Sequence, residues 1–213
     1  MRRQLTKASL TRGLDELAAR DGDIARALDR AGRPALRRAD QGFPALVRTI
    51  VGQQVSTHAA RAIWGRLDAC CDPMTPERLL RLRTPRLRAV GLSRQKIAYV
   101  RALAGHIAAG DLDLDGLAKL EEEAAIAELT RVKGIGRWSA EIYLLFALGR
   151  ADVWPVDDLA LAKAVTHMKG LRGKPKRAKL LAIAEPWRPW RGAAAILMWH
   201  YYHHINDREG GAI

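Results

Sequence analysis

The 213-residue sequence predicts an all-α fold, and three observations carry that prediction. Apolar residues recur at helical spacing along almost the whole chain. No stretch alternates apolar and polar residues as a half-buried strand would. The connections are short and marked by Gly, Pro, Asp and Ser, as in helical arrays. With 48% hydrophobic residues the chain can bury a core, either as one domain or as two small lobes.

The elements follow in order. Residues 8–31 read as a helix with Leu10, Leu14, Leu17, Ile24 and Leu28 on its apolar side, broken near Asp21-Gly22-Asp23. Residues 43–52 place Leu46, Val47, Ile50 and Val51 on one helix. Ser56 is a candidate N-cap for a helix carrying Ala59, Ile63 and Leu67. Residues 76–83 and 94–109 are further helices, the second with Ile97, Val100, Leu103, Ala104 and Ile107. After an acidic loop, Gly110 to Gly116, the segments 117–131, 137–149, 158–168, 175–184 and 189–204 complete about ten helices. Residues 169–177 form a basic connector.

Charge bounds the function. Lys and Arg number 36 against 23 acids, a formal charge of +13, which points to a polyanionic partner such as nucleic acid. The basic residues are spread along the chain, whereas a membrane-surface protein would gather them on one amphipathic helix. No apolar run is long enough to span a bilayer. Met1-Arg2-Arg3-Gln4 is basic but no apolar segment follows, so a cytoplasmic, DNA-associated protein is expected. The two cysteines, Cys70 and Cys71, are adjacent and too few for an iron–sulfur cluster; reduced thiols at a helix end are expected. His200 and His204 have the i,i+4 spacing of a metal pair, but no acidic or cysteine partner is evident nearby, so side chains provide no metal site. No cofactor is expected.

The most informative stretch runs from Leu129 to Ala140: a helix, a tight Gly134-Ile135-Gly136 turn, and a new helix. The glycines permit positive φ and close backbone approach. The turn exposes N–H groups at a helix start, where an anion is favoured. Lys133 and Arg137 flank it, giving a phosphate clamp that needs no base readout. Ile135 should plug the turn. An ordinary αα-corner uses similar glycines, so the turn alone leaves that reading open.

Beyond the turn the sequence continues Gly149-Arg150-Ala151-Asp152-Val153-Trp154-Pro155-Val156-Asp157-Asp158-Leu159. The run Leu129–Leu159 resembles the helix-hairpin-helix, Gly/Pro-rich, Asp signature of the DNA glycosylase superfamily. Within it the chain is most similar to the 3-methyladenine DNA glycosylase II family of alkylation repair. The resemblance extends over roughly residues 43–204 and includes Ile50-Val51-Gly52-Gln53-Gln54-Val55-Ser56, Gly91-Leu92-Ser93-Arg94-Gln95-Lys96, and Pro186-Trp187-Arg188-Pro189-Trp190-Arg191 with Trp199.

The resemblance implies two helical lobes, residues 45–155 with the hairpin at 129–148, and residues 1–44 plus 156–213, with an active-site cleft between them. Some relatives carry a further N-terminal α/β domain, for which no room is expected here. It implies Asp158 as the catalytic carboxylate, which suits an oxocarbenium-like sugar; one of Asp157 and Asp158 could also be a plain N-cap. It implies Trp138, Ile142, Trp199 and Gln53 around a flipped base, with aromatic faces toward an electron-poor alkylated purine. Lys133, Gly134, Ile135, Gly136 and Arg137 would hold DNA, with Gln54, Val55 and Ser56 in the loop that wedges into the base stack. Relatives often hold a monovalent cation on hairpin carbonyls, here those of Thr130, Val132 and Ile135.

Three departures matter. Strand-cleaving relatives have a lysine where this chain has Trp138, so hydrolysis without strand cleavage is expected. A pocket tyrosine of close relatives is Ile142 here, and a wedge leucine of some is Gln54. The expected partner is damaged double-stranded DNA, met by a monomer. Expected lesions are 3-methyladenine and 7-methylguanine, extending to ethenoadenine or hypoxanthine. A glycosylase for uracil or mismatched thymine is an alternative. So is a non-catalytic helix-hairpin-helix module, which would need neither the carboxylate nor the tryptophans.

Overall fold

The computed structural model describes residues 3–208, so Met1 and Arg2 of the basic N-terminus lie outside the described residues. The described chain is all-α, with no strand and one isolated bridge pair, Gln4 with Arg150. In chain order the helices are α1 (Lys7–Arg20), α2 (Gly22–Ala31), α3 (Phe43–Gly52), α4 (Thr57–Cys70), α5 (Pro76–Arg81), α6 (Thr84–Ala89), α7 (Arg94–Ala108), α8 (Glu122–Thr130), α9 (Arg137–Ile142), α10 (Leu159–Met168), α11 (Arg177–Ala184) and α12 (Arg191–Arg208).

Short polar side chains start many of these helices. Thr6 and Ser9 cap α1 reciprocally, at 3.1 and 2.7 Å. Ser56 accepts the Ala59 N–H at 3.2 Å, as its sequence position suggested. Thr75 caps α5 and Ser93 caps α7 in the same way. Two segments depart from the sequence expectation. Residues 117–131 are not one helix: a 3-10 turn, Gly116–Lys119, precedes extended Leu120, and α8 starts at Glu122. Residues 137–149 are α9 followed by a π-helical stretch, Tyr143–Ala147. The run Ile142–Leu148 is apolar on every side and carries no phase that could separate the two helix types.

The chain forms two compact units, Ala39–Tyr143 and Met1–Arg38 with Leu144–Ile213. In the first, α7 is central, burying Ile97, Val100, Leu103 and Ala104 against α3, α5 and α6. In the second, α12 is central and packs on α1, α2 and α10. Ala193, Ala194 and Ala195 are fully buried there, and their small side chains let neighbouring helices approach closely. The sequence reading set the lobe ends at 44/45 and 155/156. Residues 144–155 instead group with α12 because backbone bonds hold them there. Leu5 N–H donates to Gly149 O at 2.7 Å and Gly192 N–H to Ala151 O at 2.8 Å, while Arg191 bonds Asp152 at 3.0 Å.

Asp21 organises the second unit. It ends α1 and caps α2 through the Asp23 N–H at 3.0 Å. Its carboxylate also accepts from Lys169 Nζ at 2.9 and 2.7 Å and from Trp187 Nε1 at 2.9 Å. Burial pushes the acid up, but the Lys169 and Trp187 hydrogen bonds outweigh it and hold the acid below its ordinary 3.8. A lowered native value means a stabilisation present above 3.8 and lost as pH falls through the native value. Asp21→Asn should therefore destabilise the protein by about 2 kcal/mol near neutrality. Thermal melts should show this gap closing in acid; a gap that stays constant or widens below pH 3.8 would contradict it.

Candidate functional site

The hairpin lies within the Ala39–Tyr143 unit, between α8 and α9. Ile135 N–H donates to Val132 O at 3.0 Å and closes the turn, and Ile135 is 4% exposed, so it plugs the hairpin. The two glycines have different reasons to be there. Gly134 has φ +99°, and a Cβ on it would stand 2.2 Å from the Tyr99 ring. Gly136 has an ordinary φ of −83°, and a Cβ there would meet nothing within 4 Å. The fold needs the first; nothing within the protein requires the second.

The flanking cations also differ. Arg137 is held by Glu123 through two bonds at 2.5 and 2.9 Å and by Glu141 at 2.9 Å. The hydrogen bonds to Glu123 raise its pKa, and the nearby carboxylates overcome the opposing effect of burial. This guanidinium braces α8 against α9 instead of standing clear beside the turn, where the sequence alone placed it. Lys133 is exposed.

The Gln53–Ser56 loop is tied to the hairpin. Gln53 Nε2 donates to Gly134 O at 2.9 Å. This directs the Gln53 amide, expected near the base, at the hairpin backbone. Gln54 follows with φ +54°, the only left-handed residue other than glycine among the described residues. Holding a side chain there costs about 1 kcal/mol, a strain often found at ligand-contacting turns. Val55 is exposed, and Ser56 caps α4. Loop and hairpin together line a cavity of about 520 Å³ with Lys96 and Tyr99, and none of its lining residues is Asp or Glu. Thr130, Val132 and Ile135 line it too, which gathers the residues whose carbonyls would hold a cation.

The carboxylate lies in the other unit. Trp154, Pro155 and Val156 are buried, and Asp158 N–H donates to Pro155 O at 3.0 Å, turning the chain into α10. Asp158 is itself the N-cap: Oδ1 accepts the Leu161 N–H at 2.8 Å. The same oxygen accepts Trp199 Nε1–H at 3.0 Å. Two donors on one oxygen fix the plane of a half-buried carboxylate. Trp199 in turn packs on Phe146, with ring centroids 5.6 Å apart. Asp157 points elsewhere, pairing with Arg177.

Asp158 and Trp199 thus come together in one unit. Gln53, Gln54, Val55, Ser56, the hairpin, Trp138 and Ile142 belong to the other. Trp138 is 40% exposed, unusual for so large an apolar ring, while Ile142 is half-buried. Trp154, Trp187 and Trp190 are core, whereas Trp64 is only half-buried, with Arg48 5.8 Å from its ring centroid. His200 bonds Ala31 O at 2.8 Å, and no group of three or more metal-ligating side chains occurs among the described residues. Sequence reasoning missed Phe146, Lys96 and the Arg137 carboxylates. Only the Arg137–Glu141 pair left a signal, its i,i+4 spacing.

A carboxylate of fixed orientation beside a tryptophan, in a chain that also has an acid-free cationic cavity, can stabilise positive charge on a nucleic-acid sugar. The chain is 33% identical over 161 residues to DNA-3-methyladenine glycosylase 1 of Schizosaccharomyces pombe, covering 74% of this chain and 71% of that protein. The solved S. pombe 3-methyladenine DNA glycosylase in complex with abasic DNA matches with TM-score 0.80 and 29% identity, over 88% of this chain and 95% of that one. The DNA-3-methyladenine glycosidase of Bacillus halodurans matches with TM-score 0.83 and 33% identity, over 92% and 91%. The model of the HhH-GPD superfamily base excision DNA repair proteins matches residues 47–189, and the chain belongs to that family.

Proposed function

We propose that the protein is a monofunctional DNA glycosylase that removes alkylated purines from duplex DNA, 3-methyladenine and 7-methylguanine first among them. The observation that carries this is Asp158, oriented by Trp199 and the Leu161 amide, in a chain whose similar relatives are named 3-methyladenine glycosylases. The acid-free hairpin cavity holds the backbone, and Gln54 or Val55 fills the gap left by the flipped base. A monovalent cation on the carbonyls of Thr130, Val132 and Ile135 would stiffen that turn.

The chemistry needs little acid assistance. Alkylation at N3 or N7 gives the base a positive charge, so it leaves neutral when the C1′–N bond electrons return to it. The sugar is left as an oxocarbenium-like cation, which the Asp158 carboxylate stabilises. Water then adds to C1′ and loses its proton, with Asp158 placed to receive it. Trp138 stands where strand-cleaving relatives carry a lysine, so no amine attacks C1′.

A panel of duplexes containing 3-methyladenine, 7-methylguanine, ethenoadenine, hypoxanthine or uracil tests the substrate class. The methylated purines should be released and uracil should not. Borohydride added during turnover should trap no covalent protein–DNA complex, because no Schiff base forms. A trapped complex would overturn the monofunctional reading, and preferential release of uracil would overturn the alkylpurine reading.

A further inference from the structure

Lys96 lies in the hairpin cavity but plays no part in the proposed chemistry. It sits in the first turn of α7, whose start Ser93 caps. Its Nζ donates to Val51 O at 2.8 Å, in the last turn of α3, just before Gln53 and Gln54. A cation suits the unpaired carbonyls at a helix end. An ammonium has three protons, and Val51 O accounts for one.

Two further facts mark the remaining protons. Lys96 has no ion-pair partner among the described residues, although it is half-buried, and burial pulls its pKa down. The roughly 520 Å³ cavity it lines with Lys133 contains no carboxylate. Most partly buried lysines are neutralised by an acid, as Lys169 is by Asp21 and Asp23. A pair of lysines in an acid-free cavity has room for an anion supplied from outside.

We propose that Lys96 is a second backbone-phosphate ligand beside Lys133, and that it links phosphate binding to the loop that enters the base stack. One N–H holds Val51 O and so the root of the Gln53–Ser56 loop; the others receive a phosphate of the bound strand. The Gln53 bond to Gly134 O ties the same loop to the hairpin from the other side. Phosphate capture therefore stiffens the loop at both ends as the duplex is engaged. The inference rests on the reading of the hairpin as a DNA-binding element.

The test is the salt dependence of binding to an undamaged duplex and to one with an abasic site, measured by fluorescence anisotropy across a salt series. Each phosphate contact contributes roughly one unit to the slope of log K against log salt. Lys96→Met and Lys96→Gln both remove the charge and should each lower the slope by about 1. Lys96→Arg should restore it, and Lys96→Met with Lys133→Met should lower it by about 2. A purely structural lysine would change the melting temperature but not the slope. Folded Lys96→Met or Lys96→Gln protein with the parental slope overturns the proposal. A parent that binds no duplex overturns the reading beneath it as well.

Discussion

Asp158→Asn should lower base release by about 10³-fold, the scale expected when a group aimed at developing charge is removed. Duplex binding should stay near the parental level. The geometry says why this substitution isolates chemistry. Asparagine keeps an oxygen that can accept the Leu161 N–H and Trp199 Nε1–H, now at 2.8 and 3.0 Å. The N-cap of α10 therefore survives, and only the negative charge is lost. Asp158→Ala would confound the result, because losing the cap alone costs about 1 kcal/mol. Single-turnover excision measured beside anisotropy checks both halves. An asparagine variant with near-parental excision would remove Asp158 from the mechanism.

The second large effect separates the two hairpin glycines. Gly134→Ala should destabilise the protein by about 3 kcal/mol, from a left-handed backbone and overpacking against Tyr99 together. Gly136→Ala should change stability by less than about 1 kcal/mol, since the added methyl meets nothing within 4 Å. It should instead weaken duplex binding about tenfold, or about 1.4 kcal/mol, by standing off the approaching backbone. Chemical denaturation and anisotropy on both variants read the pair. A Gly136→Ala variant that binds normally would mean that nothing approaches the turn closely.

These two sites also show what a sequence can and cannot reveal. The hairpin was legible because a helix, Gly-Ile-Gly and a helix stand next to each other in the chain; Asp158 was singled out by the family resemblance alone, since the local sequence offered Asp157 equally as an N-cap. The helical periods of α3, α4 and α7 survived folding because each presents one apolar face to a core. What failed was long-range or phase-free. The Trp199 bond to Asp158 joins residues 41 apart in sequence. Glu123 reaches Arg137 across the turn, and Gln53 meets Gly134 from 81 residues away. Periodicity cannot announce such partners. The π-helical stretch went unseen because Ile142–Leu148 is uniformly apolar. α6, Thr84–Ala89, was missed: it is as short as α5 but its N-cap is Arg83, with no capping side chain like the Thr75 of α5.

In the proposed reaction, the acid-free cavity with Lys96 and Lys133 would meet the polyanion, and the oriented Asp158 carboxylate would meet a cation that exists only during the reaction. On that proposal, binding and catalysis draw on opposite charges, carried by residues of different units. Variants of Lys133 or Gly136 should accordingly change affinity, and variants of Asp158 should change rate.

The most direct measurement is base release from a methylated duplex by the purified protein, with free purine and strand integrity followed in the same reaction. Free 3-methyladenine should appear, strands should stay intact until alkali or heat breaks them at the abasic sites, and Asp158→Asn should release base about 10³-fold more slowly. No free base from the parent protein, or strands nicked before alkali, would contradict it.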